Sequence, residues 1–168
     1  MNTRLATFDD LPLLKNIYKD IVRVMESNGV YIWNEFYPYE EFKNDINNKC
    51  LYVVEDEESI ISAFGLFKNV SGCENFKWKS SKNAIYLGRF GVNIKYQNQG
   101  LGEYSINEAK TLAKKLGYDS LRLQVVKQNI PAISFYKKIG LTQVEGINVE
   151  EIEETGVKLI EYGFEIKV

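Results

Sequence analysis

The sequence predicts a mixed α/β fold, and three observations carry that prediction. Short β-rich runs alternate with amphipathic helical runs, three of the helical runs end at a glycine (Gly29, Gly117, Gly140), and the last two β-rich runs follow each other with no helix between them. The 168 residues match the size of one compact unit, so a single domain over 1–168 is expected.

A first strand is expected around Thr3 to Ala6. In Thr7-Phe8-Asp9-Asp10, side-chain oxygens suit the free amides at a helix start. Leu11, Leu14, Ile17, Tyr18, Ile21, Val22 and Met25 then recur at helical spacing, with Pro12 in the first turn and Asn28-Gly29 as a stop. The aromatic stretch Val30 to Pro38 has no clean period and reads as a lid or wall, followed by a short helix from Tyr39 to Ile46. Cys50 to Glu55 and Ile60 to Lys68 flank a polar turn and predict an antiparallel hairpin. Val70 to Asn83 reads as a loop, and Ala84 to Val92 as a strand. Leu101 to Leu116 reads as a helix burying Ile106, Ala109, Leu112, Ala113 and Leu116. Ser120 to Val126 is the next strand and Pro131 to Ile139 a short helix, before strands at Leu141 to Val149 and Val157 to Val168. This makes about six or seven strands and four helices.

Composition narrows the chemistry. Hydrophobic residues make up 45% and charged residues 26%, as in a globular protein with a full core. With 21 Lys+Arg against 23 Asp+Glu, no uniform positive field exists to hold a polyanion, so nucleic acid is not the expected partner. Histidine is absent, which removes the commonest general base, the Ser-His and Cys-His pairs and most catalytic zinc sites. Cys50 and Cys73 lack metal-ligand spacing and read as reduced, ordinary residues; no metal is expected. The apolar runs are too short to span a bilayer and Met1-Asn2-Thr3-Arg4 opens no signal pattern, so no membrane partner and a cytoplasmic location are expected.

Between the strand at Ala84 to Val92 and the helix from Leu101 lies Gln97-Asn98-Gln99-Gly100-Leu101-Gly102. Glycines at a helix start let a ligand approach the backbone, and the unpaired amides of a first turn, reinforced by the macrodipole, suit a phosphate or pyrophosphate. The GK[ST] of a P-loop and the third glycine of a dinucleotide fingerprint are missing. Downstream, Asn129-x-x-Ala132-x-x-Phe135-Tyr136-x-x-x-Gly140-Leu141 forms a companion segment. Together, in this order and about thirty residues apart, the two segments resemble the acyl-CoA signature and the second motif of the GNAT superfamily of N-acetyltransferases. The likeness is specific from about Tyr86 to Leu141, with Ile94, Gln97 and Asn98 departing from the commoner residues.

The resemblance implies a mixed, mostly antiparallel central sheet and acetyl-CoA as cosubstrate, with an amine of a small molecule or peptide as acceptor. It further implies that the backbone of Phe90, Gly91 and Val92 pairs with pantetheine like an added strand and polarises the thioester carbonyl. The amides of Gln97, Asn98, Gln99, Gly100, Leu101 and Gly102 would cradle the pyrophosphate. Asn129 would contact the pantetheine arm, and Tyr136 would be the general acid near the sulfur. Lys127, Lys137 and Lys138 stand either for the adenine-ribose phosphates or for a solvated face. Without the motif, Tyr136 is a core tyrosine with its hydroxyl at the rim. Arg89 reads equally as a buried pair or as a reach toward the acceptor. Glu26 and Glu35 are candidate bases, neither assigned, and Glu145, Glu150, Glu151, Glu153 and Glu154 form either a solvated face or a cationic-acceptor surface. The rival from another class is a non-catalytic acyl-CoA-binding or sensing module.

Overall fold

The computed structural model describes residues 1–34, 36–57, 59–80, 82–152 and 156–168. In chain order the elements are β1 (Asn2–Leu5), α1 (Leu11–Ser27), α2 (Phe42–Asn47), β2 (Leu51–Glu55), β3 (Ile60–Phe67), β4 (Phe76–Lys77) and β5 (Ala84–Val92). Then come α3 (Leu101–Lys115), β6 (Ser120–Val126), α4 (Ile130–Lys138), β7 (Thr142–Gln143), β8 (Glu145–Gly146), β9 (Asn148–Ile152) and β10 (Val157–Lys167). The fold is mixed α/β with an eight-stranded, mostly antiparallel sheet and a two-stranded one formed by β4 and β8. The chain divides into two compact units, Met1–Leu66 with Leu87–Ala109, and Phe67–Tyr86 with Lys110–Val168.

In the first unit β1 pairs antiparallel with β2, β2 with β3, and β3 neighbours β5. The helical spacing of α1 buries Leu14, Ile17, Tyr18 and Ile21 among Phe42, Leu51, Val53 and Ala63. Trp33, from the aromatic stretch, packs against this core, whereas Tyr31 and Phe36 are exposed. The polar run before α1 caps the 3-10 turn Phe8–Asp10 that leads into the helix: Asp10 accepts from the Thr7 amide in a capping box, and it also takes both Arg4 guanidinium ends, 2.7 and 2.8 Å away. Arg4 also donates to Glu55, which ties β1, the turn before α1 and β2 together.

In the second unit Ala84–Tyr86 of β5 run parallel to Ser120–Arg122, and β6 runs antiparallel to β10. The long β10 also pairs with β7 and β9. The strand expected from Leu141 to Val149 is therefore three short pieces, and Gly146 explains the break. Its φ is +112°, and a Cβ there would lie 2.3 Å from the Asn75 carbonyl oxygen, so the chain turns aside to pair with Phe76. The expected Val70 to Asn83 loop correspondingly contains β4. Phe76 crosses β10 at Gly163, where a Cβ would meet its ring at 2.8 Å. Buried Glu165 accepts from the amides of Lys79 and Ser80 and the Ser80 hydroxyl, with Arg122 3.7 Å away. The α3 face differs at one end: Leu116 is 53% exposed, because the chain leaves the helix at Lys115 and turns through Gly117 at φ +86°.

Candidate active site

The end of β5 is shaped from below by α1. Arg89 sits at φ +53°, a left-handed conformation uncommon for a side-chain-bearing residue. The Tyr18 hydroxyl lies 2.5 Å from the Arg89 carbonyl oxygen and 3.3 Å from that of Ala63 on β3. Gly91 is buried, and a Cβ there would stand 3.0 Å from the Tyr18 hydroxyl and 2.9 Å from Ile21 Cδ1, so a side chain would crowd the helix beneath the strand. Phe90 and Val92 are half-buried. Past the strand, buried Asn93 donates from its amide to Ile61 O and from its side chain to Ile60 O, and its Oδ1 accepts from the Lys95 amide.

From Asn93 the chain makes one 3-10 turn, Ile94–Tyr96, and enters the segment from Gln97 to Gly102. Gln97, Asn98, Gln99 and Gly100 are exposed, with φ +60° at Asn98 and +78° at Gly100. The first α3 amide with a backbone acceptor is Tyr104, bonded to Gly100 O at 3.1 Å; those from Asn98 to Glu103 have none among the described residues. Leu101 and Gly102 lie in the opening turn of a 15-residue helix, so its positive end adds to the free amides. The side chains of Gln97 and Gln99 fold back onto Val92 O (3.4 Å) and Lys95 O (3.2 Å), which leaves this surface to the backbone. Beneath the turn, Ser105 donates to Leu101 O at 2.7 Å and lies 2.6 Å from the Ser62 hydroxyl, both serines being fully buried.

In the second unit Asn129 caps α4, its Oδ1 accepting from the Ala132 amide at 3.2 Å. Its carboxamide oxygen thus takes part in the cap, and its NH₂ group has no bond to another described residue. Tyr136 is 8% exposed, with its ring 6.2 Å from that of Phe164 on β10 and 5.4 Å from that of Phe135. Its hydroxyl has no hydrogen-bond partner among the described residues. Burial pushes the phenol above its ordinary range, so it is protonated at neutral pH. Lys127, Lys137 and Lys138 are exposed.

Of the two readings of Arg89, the structure contains the buried pair. The guanidinium donates to Asp45, which is 2% exposed, with Glu41 at 3.7 Å and the Tyr37 hydroxyl at 3.2 Å. Glu26 is exposed on α1, and Glu35 lies outside the described residues. In the acidic run, Glu145 pairs with Lys77 at 2.5 Å and Glu151 lies 3.8 Å from Lys158, while Glu153 and Glu154 lie outside the described residues. Burial pushes the Cys50 thiol up to about 11, the state of an unreactive cysteine. Among the described residues no group of His, Cys, Asp and Glu could hold a metal ion, and no helix is long and apolar enough to cross a membrane. Sequence reasoning missed Tyr18, Asn93, Ser62 and Ser105. Tyr18, Ser62 and Ser105 match ordinary helix and strand patterns and Asn93 an ordinary strand end, and only the partners reached through the tertiary fold single them out.

Such a fold, with a strand leading through a glycine-bearing turn into a helix on a mostly antiparallel sheet, defines an α/β protein. The Acetyltransferase (GNAT) family model matches residues 14–141, and the chain belongs to that family; it is an acyltransferase. It is 26% identical over 145 residues, 85% of each chain, to the Bacillus subtilis (strain 168) protein YwnH, provisionally named a phosphinothricin acetyltransferase. A GNAT-family acetyltransferase from Streptococcus agalactiae has a similar fold, with a TM-score of 0.79 at 13% identity, covering 99% of this chain and 95% of that one. Arabidopsis thaliana NAA60, solved in complex with acetyl-CoA, gives a TM-score of 0.68 at 22% identity, with 99% and 98% covered. The ribosomal-protein-alanine N-acetyltransferase of Brucella melitensis gives 0.68 at 17% identity, with both chains fully covered.

Proposed function

We propose that the chain, acting as one domain over 1–168, is an N-acetyltransferase that moves an acetyl group from acetyl-CoA directly to a primary amine of a small molecule or peptide. The observation that carries this is the run of unbonded amides from Asn98 to Glu103 at the mouth of α3, which fits a pyrophosphate without any cationic side chain. Family membership and the acetyl-CoA bound to the NAA60 structure support the identity of the cosubstrate.

In the proposed reaction the neutral amine attacks the thioester carbonyl carbon. The C–N bond forms and the carbonyl electrons move to oxygen, where the backbone amides of Phe90 to Val92 stabilise the charge. Collapse re-forms the carbonyl and breaks the C–S bond; the sulfur leaves with the electron pair and takes the Tyr136 phenolic proton. The ammonium proton of the acceptor passes to solvent, and solvent returns a proton to the Tyr136 phenolate. No side chain becomes acylated, in keeping with the absence of histidine and the unreactive Cys50. Burial keeps the Tyr136 phenol protonated at neutral pH, so it holds a proton and does not serve as the base. The test is a panel of amines, amino acids, polyamines and peptides, read by free thiol released from acetyl-CoA. Turnover with at least one amine is expected; acetyl-CoA binding with no turnover across the panel would instead identify a sensing module.

A further inference from the structure

We infer that Tyr18 is a positioning residue for acetyl transfer: its hydroxyl sets the direction of the Arg89–Phe90 peptide and thereby which backbone groups of Phe90 to Val92 are offered to acetyl-CoA. The inference rests on the proposed use of acetyl-CoA by this strand.

The geometry is specific. Tyr18 is 2% exposed on the apolar face of α1, and its phenol lies between two carbonyl oxygens, of Arg89 on β5 and Ala63 on β3. A phenol has one proton to give, and the 2.5 Å approach to Arg89 O marks that carbonyl as its main acceptor. Arg89 is also the residue at φ +53°, a conformation that disfavours any L side chain and persists only where its surroundings hold it. Because a trans peptide is planar, a carbonyl aimed at Tyr18 aims the Phe90 amide the opposite way, away from α1. At the far end Asn93 bonds Ile60 O and Ile61 O, so the three residues between are clamped on both sides. Gly91 completes the arrangement, since any larger residue would push on the phenol. An apolar helix face needs only a phenylalanine here; the hydroxyl is what the helix contributes to the strand.

Tyr18→Phe keeps the ring and removes the bond. Calorimetric titration with acetyl-CoA should show Kd raised about tenfold at unchanged stoichiometry, with faster amide hydrogen exchange at Phe90 and Gly91 in the free protein. A pin that merely holds the fold would lower the stoichiometry at unchanged Kd, and that result, or a wild-type Kd with full stoichiometry, overturns the inference. Gly91→Ala is the second variant: it retains the hydroxyl but crowds the phenol, and should raise Kd in the same direction; an unchanged Kd there also counts against the inference. If the wild-type protein itself gives no binding heat with acetyl-CoA, the functional reading fails and this inference with it.

Discussion

The Ser62 hydroxyl on β3 meets the Ser105 hydroxyl on α3 at 2.6 Å, with neither exposed to solvent. Ser105 gives its proton to Leu101 O, so Ser62 is the donor in the pair and the first turn of α3 is tied to the sheet through two hydroxyls in series. Ser105→Ala leaves the Ser62 hydroxyl buried without an acceptor and should cost about 1–3 kcal/mol, whereas Ser62→Ala/Ser105→Ala together should cost less than the Ser105 change alone. Chemical denaturation of the three variants checks this; a double variant weaker than Ser105→Ala contradicts the relay.

Arg4 predicts the acid limb of stability. Its guanidinium, through hydrogen bonds, holds Asp10 below the ordinary carboxylate range. A depressed native pKa means that the stabilisation is present above the unfolded value, about 4, and is lost as pH falls through the native one. Asp10→Asn should therefore lower Tm at pH 7 and narrow its gap from wild type as pH falls below about 4. A gap independent of pH would mean that Asp10 contributes only shape.

Gly100 tests the cradle. A Cβ there meets nothing within 4 Å, so the folding cost of Gly100→Val is that of a branched residue at φ +78°, about 1–2 kcal/mol. The larger effect should be on the cosubstrate, because the side chain stands at the amides proposed to hold the pyrophosphate. CoA affinity should fall at least about tenfold in a protein that still melts cooperatively. Unchanged calorimetric affinity removes the cradle assignment.

Local signals made part of this architecture legible. β5 and β6 span the residues expected from their β-rich runs because Asn93 and Gly117 with Asp119 punctuate them clearly. α1 follows its apolar spacing to the Asn28-Gly29 stop. What stayed hidden was set by partners distant in sequence. Gly146 breaks its strand because the Asn75 carbonyl leaves no room for a side chain, and Asp10, beside its capping bond to Thr7, pairs with Arg4, which Glu55 shares. The same limit applies within the candidate site. Gly100 was visible as a glycine before a helix, but the crowding at Gly91 comes from Tyr18 and Ile21, and the cap made by Asn129 engages an oxygen that a motif alone leaves free.

Tyr136 carries the chemical prediction. CoA leaves as a thiolate, and with a thiol pKa of about 8.5 its protonation at pH 7 is favourable by roughly 2 kcal/mol. That figure is for a proton drawn from water; a positioned phenol of higher pKa would serve by donating in concert with C–S cleavage and regaining its proton from solvent. Since the hydroxyl has no hydrogen-bond partner among the described residues and the ring packs with Phe164, Tyr136→Phe should leave Tm and acetyl-CoA affinity near wild type. Its kcat should fall about a hundredfold, the lower range for a general acid. Because burial raises the phenol above its ordinary value of about 10, loss of the acid proton should not produce a falling limb in the wild-type kcat profile below about pH 10. The decisive measurement pairs single-turnover kcat with acetyl-CoA affinity in the same preparation. Unchanged kcat with chemistry shown to limit turnover assigns Tyr136 to the core and proton delivery to water; a selective kcat loss assigns that proton to the phenol.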